Sequence, residues 1–286
     1  MSLMKTVLVT GGKEGIGKAI CQILLERYPT VRVLLGSRES DRGNQALQDL
    51  EQICGNQRCQ GRLDMITIDT SSDESVSSAA NHVASEFHSL YGIINSAAIY
   101  YTGSSEEVIN TNYFGPRRVN DAFGKLLECP GGRVVNISSG LGPMFVAGSA
   151  PSLRSKLSQP WTLAGGITEL DSLARDYTEK TSMSDPYGFS KALLNAYTSI
   201  HGHSEPDLII NAVCPGFIAS DMAGEPSMVS TKSPTSKGAM PPVYLLMSDD
   251  FTKIPSGRFY GSDCKRSPLD RYRGPGDDVY EGPDWE

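Results

Sequence analysis

Thr6-Val7-Leu8-Val9-Thr10-Gly11-Gly12-Lys13-Glu14-Gly15-Ile16-Gly17 is the stretch that decides the fold. Its first half is an unbroken run of β-branched residues and leucine, the pattern of a strand covered on both faces. Glycines follow at once, and from residue 16 to 28 the apolar residues recur at helical spacing. A strand, a glycine turn and a helix in that order suit a pyrophosphate. The backbone can approach it closely, and amide N–H groups and the helix dipole meet its charge. The spacing of Gly11, Gly15 and Gly17 is TGxxxGxG, wider than GxGxxG. A glycine turn alone also reads as an incidental turn; the strand before it and the helix after it favour a dinucleotide site.

The same rhythm continues outward. Apolar runs at 31–35, 65–68, 92–95, 133–137 and 208–213 alternate with helical spacing at 76–87, 108–127 and 187–200. This predicts an α/β chain with a doubly wound, mostly parallel sheet of about seven strands and helices on both faces. Two stretches break the rhythm. Residues 140–186 start loop-rich and take helical spacing from about 167 to 180. Residues 274–286 hold five acids, no base and five Gly or Pro, which reads as a solvated or disordered acidic tail. The expected organisation is one dinucleotide-binding and catalytic domain over 1–273, with an insert at 140–186 and a substrate lid at 217–240.

Composition narrows the classes. A net charge of −7 over 286 residues argues against nucleic acid or an anionic membrane as partner. Nothing approaches the run of about 18 apolar residues that a membrane helix needs, and no signal-peptide pattern opens the chain, so a cytoplasmic protein is expected. The six cysteines form no CxxC pair and the four histidines stand apart from them; reduced thiols and no metal are expected.

The end of the second strand reads Gly36-Ser37-Arg38. Where an NAD site places an acid against the ribose, a small residue and an arginine suit a 2′-phosphate; read alone, Arg38 is also a solvated turn residue. Asp69 closes the third strand, as an acceptor for the adenine amine or as a helix N-cap. Tyr187 and Lys191 lie one turn apart on a helix. A phenol titrates near 10 and needs a neighbouring cation to act as acid or base at neutral pH. Ser138 and Ser139 follow the strand at 133–137, at the sheet edge where ligands bind. Singly, a tyrosine and a lysine four apart are core and surface residues.

Together these residues resemble the short-chain dehydrogenase/reductase family, and within it the cytosolic NADPH-dependent carbonyl reductases. Gly11, Gly15 and Gly17 match the cofactor loop, and Asp69 the adenine-site acid. Asn95-Ser96-Ala97-Ala98 is similar to the NNAG stretch, and Asn112 sits where the family places an asparagine. Ser139, Tyr187 and Lys191 match the catalytic serine and YxxxK. Pro215-Gly216 with Ile218 and Ser220 matches the segment that meets the nicotinamide. Thr111-Asn112-Tyr113-Phe114-Gly115 and the run from Cys214 to Gly224 look like carbonyl reductases, as does the insert before Tyr187.

The resemblance implies a Rossmann-type fold, NADPH, and a small-molecule carbonyl as substrate. Gly11, Lys13, Gly15, Ile16, Gly17, Arg38, Asp69, Asn95, Ala97, Tyr187, Lys191, Pro215, Gly216, Ile218 and Ser220 would hold the cofactor. Ser139 and Tyr187 would polarise the carbonyl, with Tyr187 as general acid. Lys191 would lower the tyrosine pKa and hold the ribose, and Asn112 would hold a relay water. Ser139, Phe217 and Met222 would line the substrate pocket; Met144, Phe145, Trp161 and Met222 read equally as apolar pocket walls or as core and loop anchors. Cys214 reads as a reactive thiol or a small buried hydrophobe.

Ala98 departs from the usual glycine, and Glu14 stands where NADP-preferring members carry a base, leaving the phosphate to Arg38 and Lys13. In the insert, Ile167, Leu170, Leu173, Ala174 and Tyr177 form a stripe able to cover an apolar helix face from within the chain, so a monomer is expected. Two other readings are an NAD(P)-dependent alcohol or hydroxysteroid dehydrogenase working oxidatively, and a non-catalytic NADPH sensor. A sensor would need none of Asn112, Ser139, Tyr187 and Lys191.

Overall fold

The computed structural model describes residues 4–100, 104–180, 185–218, 235–249 and 254–282. Seven strands form one sheet in the order β3-β2-β1-β4-β5-β6-β7, every neighbouring pair parallel. They are β1 (Lys5–Thr10), β2 (Val31–Ser37), β3 (Leu63–Thr67), β4 (Gly92–Asn95), β5 (Arg133–Ile137), β6 (Ile209–Val213) and β7 (Arg258–Tyr260). The helices between them are α1 (Gly15–Arg27), α2 (Ser40–Cys54), α3 (Asn56–Cys59), α4 (Asp73–Glu86), α5 (Ser105–Ile109) and α6 (Gly115–Phe123), then α7 (Leu141–Gly148), α8 (Pro151–Ser158), α9 (Gly166–Lys180), α10 (Pro186–Ser204) and α11 (Thr235–Met247). This is the doubly wound Rossmann-type sheet that the alternating runs predict. Side chains alternate across each strand, so Val7 and Val9 pack with α1, α2 and α11 while Leu8 packs with α4 and α6. Among the described residues, no helix is long and apolar enough to cross a membrane.

Strand order reverses between β1 and β4, and there a crevice opens at the carboxyl edge of the sheet. Thr10 ties its two lips together: its Oγ1 accepts the amides of Ser96 at 3.1 Å and Ala97 at 3.2 Å. Gly11, at φ +65°, follows so close to the Ala97 backbone that a Cβ there would sit 2.8 Å from the Ala97 Cα. Only glycine accepts both conditions.

The structure revises three expectations. The first part of the insert is helical rather than loop-like. Pro143 and Pro151 stand in the first turns of α7 and α8, where an amide has no intrahelical partner to lose. The end of the expected lid, 235–240, belongs to α11, and Ala239 is buried with Val243 and Leu246 against the core. Residues 274–282 are exposed for the most part but tied back to the body. The buried Arg273 pairs with Asp263 at 2.6 Å and donates to the carbonyls of Asp277 at 3.0 Å and Asp278 at 2.9 Å.

Helix α9 lays its stripe inward. Leu170 and Ala174 are fully buried, and Ile167, Leu173 and Tyr177 pack on the cluster that holds Tyr113, Phe189, Leu193 and Tyr197. A polar anchor fixes the register. The buried Asp171 accepts from Tyr113 Oη at 2.7 Å and Arg117 Nη2 at 3.1 Å. Burial and the Asp171 charge push the Tyr113 phenol well up, so it remains a donor. Replacing Asp171 with Ala leaves both donors without this carboxylate; the expected loss is about 3 kcal/mol of unfolding free energy. Urea denaturation checks it, and an unchanged midpoint would mean that α9 is held by its apolar stripe alone.

Candidate active site

The crevice is lined at its phosphate end by Gly11, Lys13, Glu14, Gly15, Ile16 and Gly17. Gly15, at φ +58°, has open space in front of it, so the cradle is clear where a side chain would fill it. A Cβ at Gly17 would overlap the Gly11 carbonyl oxygen, which explains the third glycine. Geometry and loop chemistry fit a pyrophosphate.

At the adenosine end, Ser37, Arg38 and Asp69 line the crevice. Asp69 Oδ1 accepts the Ser71 amide at 2.9 Å and the Ser71 hydroxyl at 2.6 Å, while the N-cap of α4 is Ser72. Asp69 is therefore the turn residue and Ser72 the cap. Arg38 is solvent-facing and contacts Glu39 at 3.4 Å. Lys13 Nζ bonds Glu39 Oε1 at 2.7 Å, and Arg42 Nη2 bonds Glu14 Oε2 at 2.6 Å. Sequence reasoning named Lys13, Glu14 and Arg38 but missed Glu39 and Arg42. The signal was present: Arg42 stands in the first turn of the helix that follows Arg38.

Tyr187 and Lys191 both line the nicotinamide end, with Ile137, Ser138 and Pro215. Asp185 caps α10, its Oδ1 accepting the Gly188 amide at 2.7 Å, and so fixes the turn that carries Tyr187. The phenol is half-buried, with the Ser139 side chain near enough to favour its ionised form. Desolvation pushes its pKa well up, Cys214 and Tyr100 add to the rise, and Ser139 opposes it. Lys191 is 2% exposed. Its ammonium donates to the Ile137 carbonyl at 2.9 Å and stands 5.5 Å from the Tyr187 ring centre. Burial brings its pKa down to about 8. Desolvation thus shifts both neighbouring groups toward their neutral forms, with Lys191 still mostly protonated at neutral pH and the Tyr187 phenol above rather than below its ordinary range.

Other expected residues take different places. Asn95 is buried, and its Nδ2 donates to Asn120 Oδ1 and Asn136 Oδ1, both at 2.9 Å, so its side chain braces β4 and β5 rather than facing a cofactor. Ala97 lines the crevice, as do Ser96 and Ala98. Asn112 lies in a π-helical turn, Asn110–Phe114, of the kind often found at functional sites. Its side chain clamps Ile99 through two 2.8 Å bonds, Oδ1 to the amide and Nδ2 to the carbonyl, and reaches Ser190 Oγ at 3.1 Å. Both amide protons are used, so any relay water must be met by an acceptor.

Pro215 lines the crevice, but Gly216, at φ +90°, turns the chain against Ser262, and the Ile218 side chain is buried beside Gly238. Phe217 is 57% exposed and Met144 51%. Phe145 packs on Phe189, 5.3 Å between centres, inside the insert's core, and Trp161 lines a separate cavity with Ser199 and Arg258. Neither is a wall of this crevice. Ser220 and Met222 lie outside the described residues. Cys214 Sγ accepts the amides of Gly140 at 3.3 Å and Gly216 at 3.4 Å, yet burial raises its pKa, so it stays a thiol. Tyr100, which the sequence did not single out, packs with its ring centre 4.8 Å from that of Tyr187 and tilted 50° to it. Among the described residues, no cluster of His, Cys, Asp or Glu is arranged to hold a metal ion.

A short chain dehydrogenase family model matches residues 5–156, and the chain belongs to that family. It is an oxidoreductase with a nicotinamide dinucleotide site. It is 29% identical to (+)-neomenthol dehydrogenase of Arabidopsis thaliana, over 88% of this chain and 94% of that one. It is 29% identical to the NADPH carbonyl reductase 1 of Homo sapiens, with the same two coverages of 88% and 94%. Salutaridine reductase from Papaver somniferum shares the fold, with a TM-score of 0.75 at 23% identity, over 90% of this chain and 99% of that one.

Proposed function

We propose that this chain reduces the carbonyl group of small aldehydes, ketones or quinones with NADPH, Tyr187 acting as the general acid. The observation that carries the reading is the state of Tyr187: half-buried at the nicotinamide end of the crevice, with Lys191 5.5 Å from its ring centre and its pKa pushed up by desolvation. A reductase needs a proton donor that arrives protonated at neutral pH, and a phenol with its pKa raised by desolvation is one. An oxidative dehydrogenase needs the phenolate, which this desolvation opposes. The similarity to a carbonyl reductase that uses NADPH points the same way.

The bound dinucleotide would supply the hydride. Gly11, Gly15 and Gly17 would take its pyrophosphate, Lys13, Arg38 and Arg42 its 2′-phosphate, Asp69 its adenine and Lys191 its ribose. Ser139 and Tyr187 would donate to the substrate oxygen, and the Tyr187 proton would pass to that oxygen as its negative charge develops. Lys191, as long as it is protonated, stabilises the phenolate left behind.

Tyr187→Phe keeps the ring and its contact with Tyr100 but removes the donor. Its kcat should fall by about 10²- to 10⁴-fold while NADPH still quenches or shifts protein fluorescence on binding. A near-normal kcat in this variant would place the proton donor elsewhere.

We propose further that the chain is a monomer. Helix α9 covers a face of α10 that a second subunit would otherwise use, burying Leu170 and Ala174 against Phe189, Leu193 and Tyr197. Light scattering after size exclusion should give a mass near the 30.9 kDa of one chain. A mass near twice that at micromolar concentration would contradict the assignment.

A further inference from the structure

The adenosine end of the crevice gathers three cations and two carboxylates, and their pairing is uneven. Glu39 Oε1 lies 2.7 Å from Lys13 Nζ, 3.4 Å from Arg38 Nε and 3.5 Å from Arg42 Nη1. One carboxylate oxygen is thus the common acceptor for the whole trio. Glu14 meets Arg42 through its other nitrogen at 2.6 Å, and Lys13 stands 3.7 Å away. The hydrogen bond from Lys13, with help from Arg38 and Arg42, holds the Glu39 carboxyl below the usual carboxylate range, so it is an anion at neutral pH.

The local fold does not require this carboxylate. Glu39 occupies the N-cap of α2 but makes no side-chain cap bond, and the acid in the first turn of that helix is Asp41. The turn into the helix is closed by Ser37, whose Oγ donates to the Glu39 carbonyl at 2.9 Å and accepts the Glu39 amide at 3.3 Å. The Glu39 side chain is 41% exposed, so each of its ion pairs taken singly is weak. What distinguishes it is position: an anionic oxygen at the point where three cations converge, next to Ser37 and Arg38 of the crevice wall.

We propose that Glu39 is an internal anion seated in the 2′-phosphate subsite, which a phosphorylated ribose must displace, so that Glu39 sets the coenzyme selectivity of this chain. The inference rests on the coenzyme reading above and deepens it. A 2′-phosphate carries up to two charges and three acceptor oxygens, so it outcompetes a single carboxylate oxygen for Lys13, Arg38 and Arg42. The gain is only the difference between the two anions. A ribose with a free 2′-hydroxyl leaves Glu39 on its cations and pays no such exchange. Selectivity for NADPH over NADH is therefore smaller than three cations alone would give, and it is sensitive to salt because the corner is open to water.

The test uses adenosine 2′,5′-bisphosphate and 5′-AMP as probes, which need neither nicotinamide nor turnover. Their dissociation constants are measured by calorimetry on the wild type, Glu39→Gln, Glu39→Ala and Glu14→Gln, with thermal melts to show that each variant folds. NADPH and NADH are titrated on the wild type in parallel. Both Glu39 variants should bind the bisphosphate about tenfold more tightly and change 5′-AMP by less than about twofold; Glu14→Gln should gain clearly less. Unchanged bisphosphate binding in the Glu39 variants overturns the inference while leaving the coenzyme reading intact. Equal gains in Glu14→Gln and Glu39→Gln overturn it too, since they show a diffuse field rather than a seated anion. A wild type that binds neither NADPH nor NADH defeats the coenzyme reading and the inference together.

Discussion

A lysine ammonium taken out of water costs several kcal/mol unless partners replace its hydration, and the rest of this structure is arranged around one such group. Lys191 is buried on α10 with the Ile137 carbonyl as its acceptor, 2.9 Å away at the end of β5. Its burial requires that α10 be covered on every side. The sheet covers one side. The insert covers the other, through α7, where Gly142 comes so near the Lys191 backbone that a Cβ would meet its carbonyl carbon at 2.9 Å. Helices α8 and α9 extend the cover, and the Asp171 anchor fixes where α9 lies. The same water exclusion raises the Tyr187 pKa and lowers that of Lys191. The long insert and the chemistry of the tyrosine are consequences of one constraint.

Electrostatics at the two ends of the crevice run on opposite principles. At the nicotinamide end, burial makes two ionisable groups respond strongly to small changes in their surroundings. At the adenosine end, five charged side chains stay in contact with water, and the balance among them decides which anion they prefer. Between the two lies the glycine loop, whose glycines offer backbone amides and no titratable group.

Much of the fold was legible because each central strand is a short apolar run and each glycine of the loop has a local reason. The third glycine is forced by the Gly11 carbonyl, and the spacing alone reported it. What was not legible depended on partners distant in sequence. Strand β7 is three residues long and gains its place only by pairing with β6. Helix α11 carries Pro241 and Pro242, residues that disfavour a helix interior, yet burial of Ala239, Val243 and Leu246 holds it. Asn95 read as a ligand through the resemblance of its stretch to NNAG, but Asn120 and Asn136, far along the chain, claim its amide. In the site, Tyr187, Lys191 and Ser139 were found by type and spacing. Glu39 was not, since nothing in the order of residues says that Lys13 folds back to meet it.

Burial leaves Lys191 its charge only up to about pH 8, and the proposed role of that charge is to support proton donation by Tyr187. The most direct measurement is the pH dependence of kcat/KM for carbonyl reduction at saturating NADPH, from pH 6 to pH 10. A lysine with a depressed pKa is charged below that value and neutral above it, so the profile should be level through neutrality and fall above about pH 8. A profile that stays level to pH 10, or that rises as the tyrosine ionises, would contradict the account.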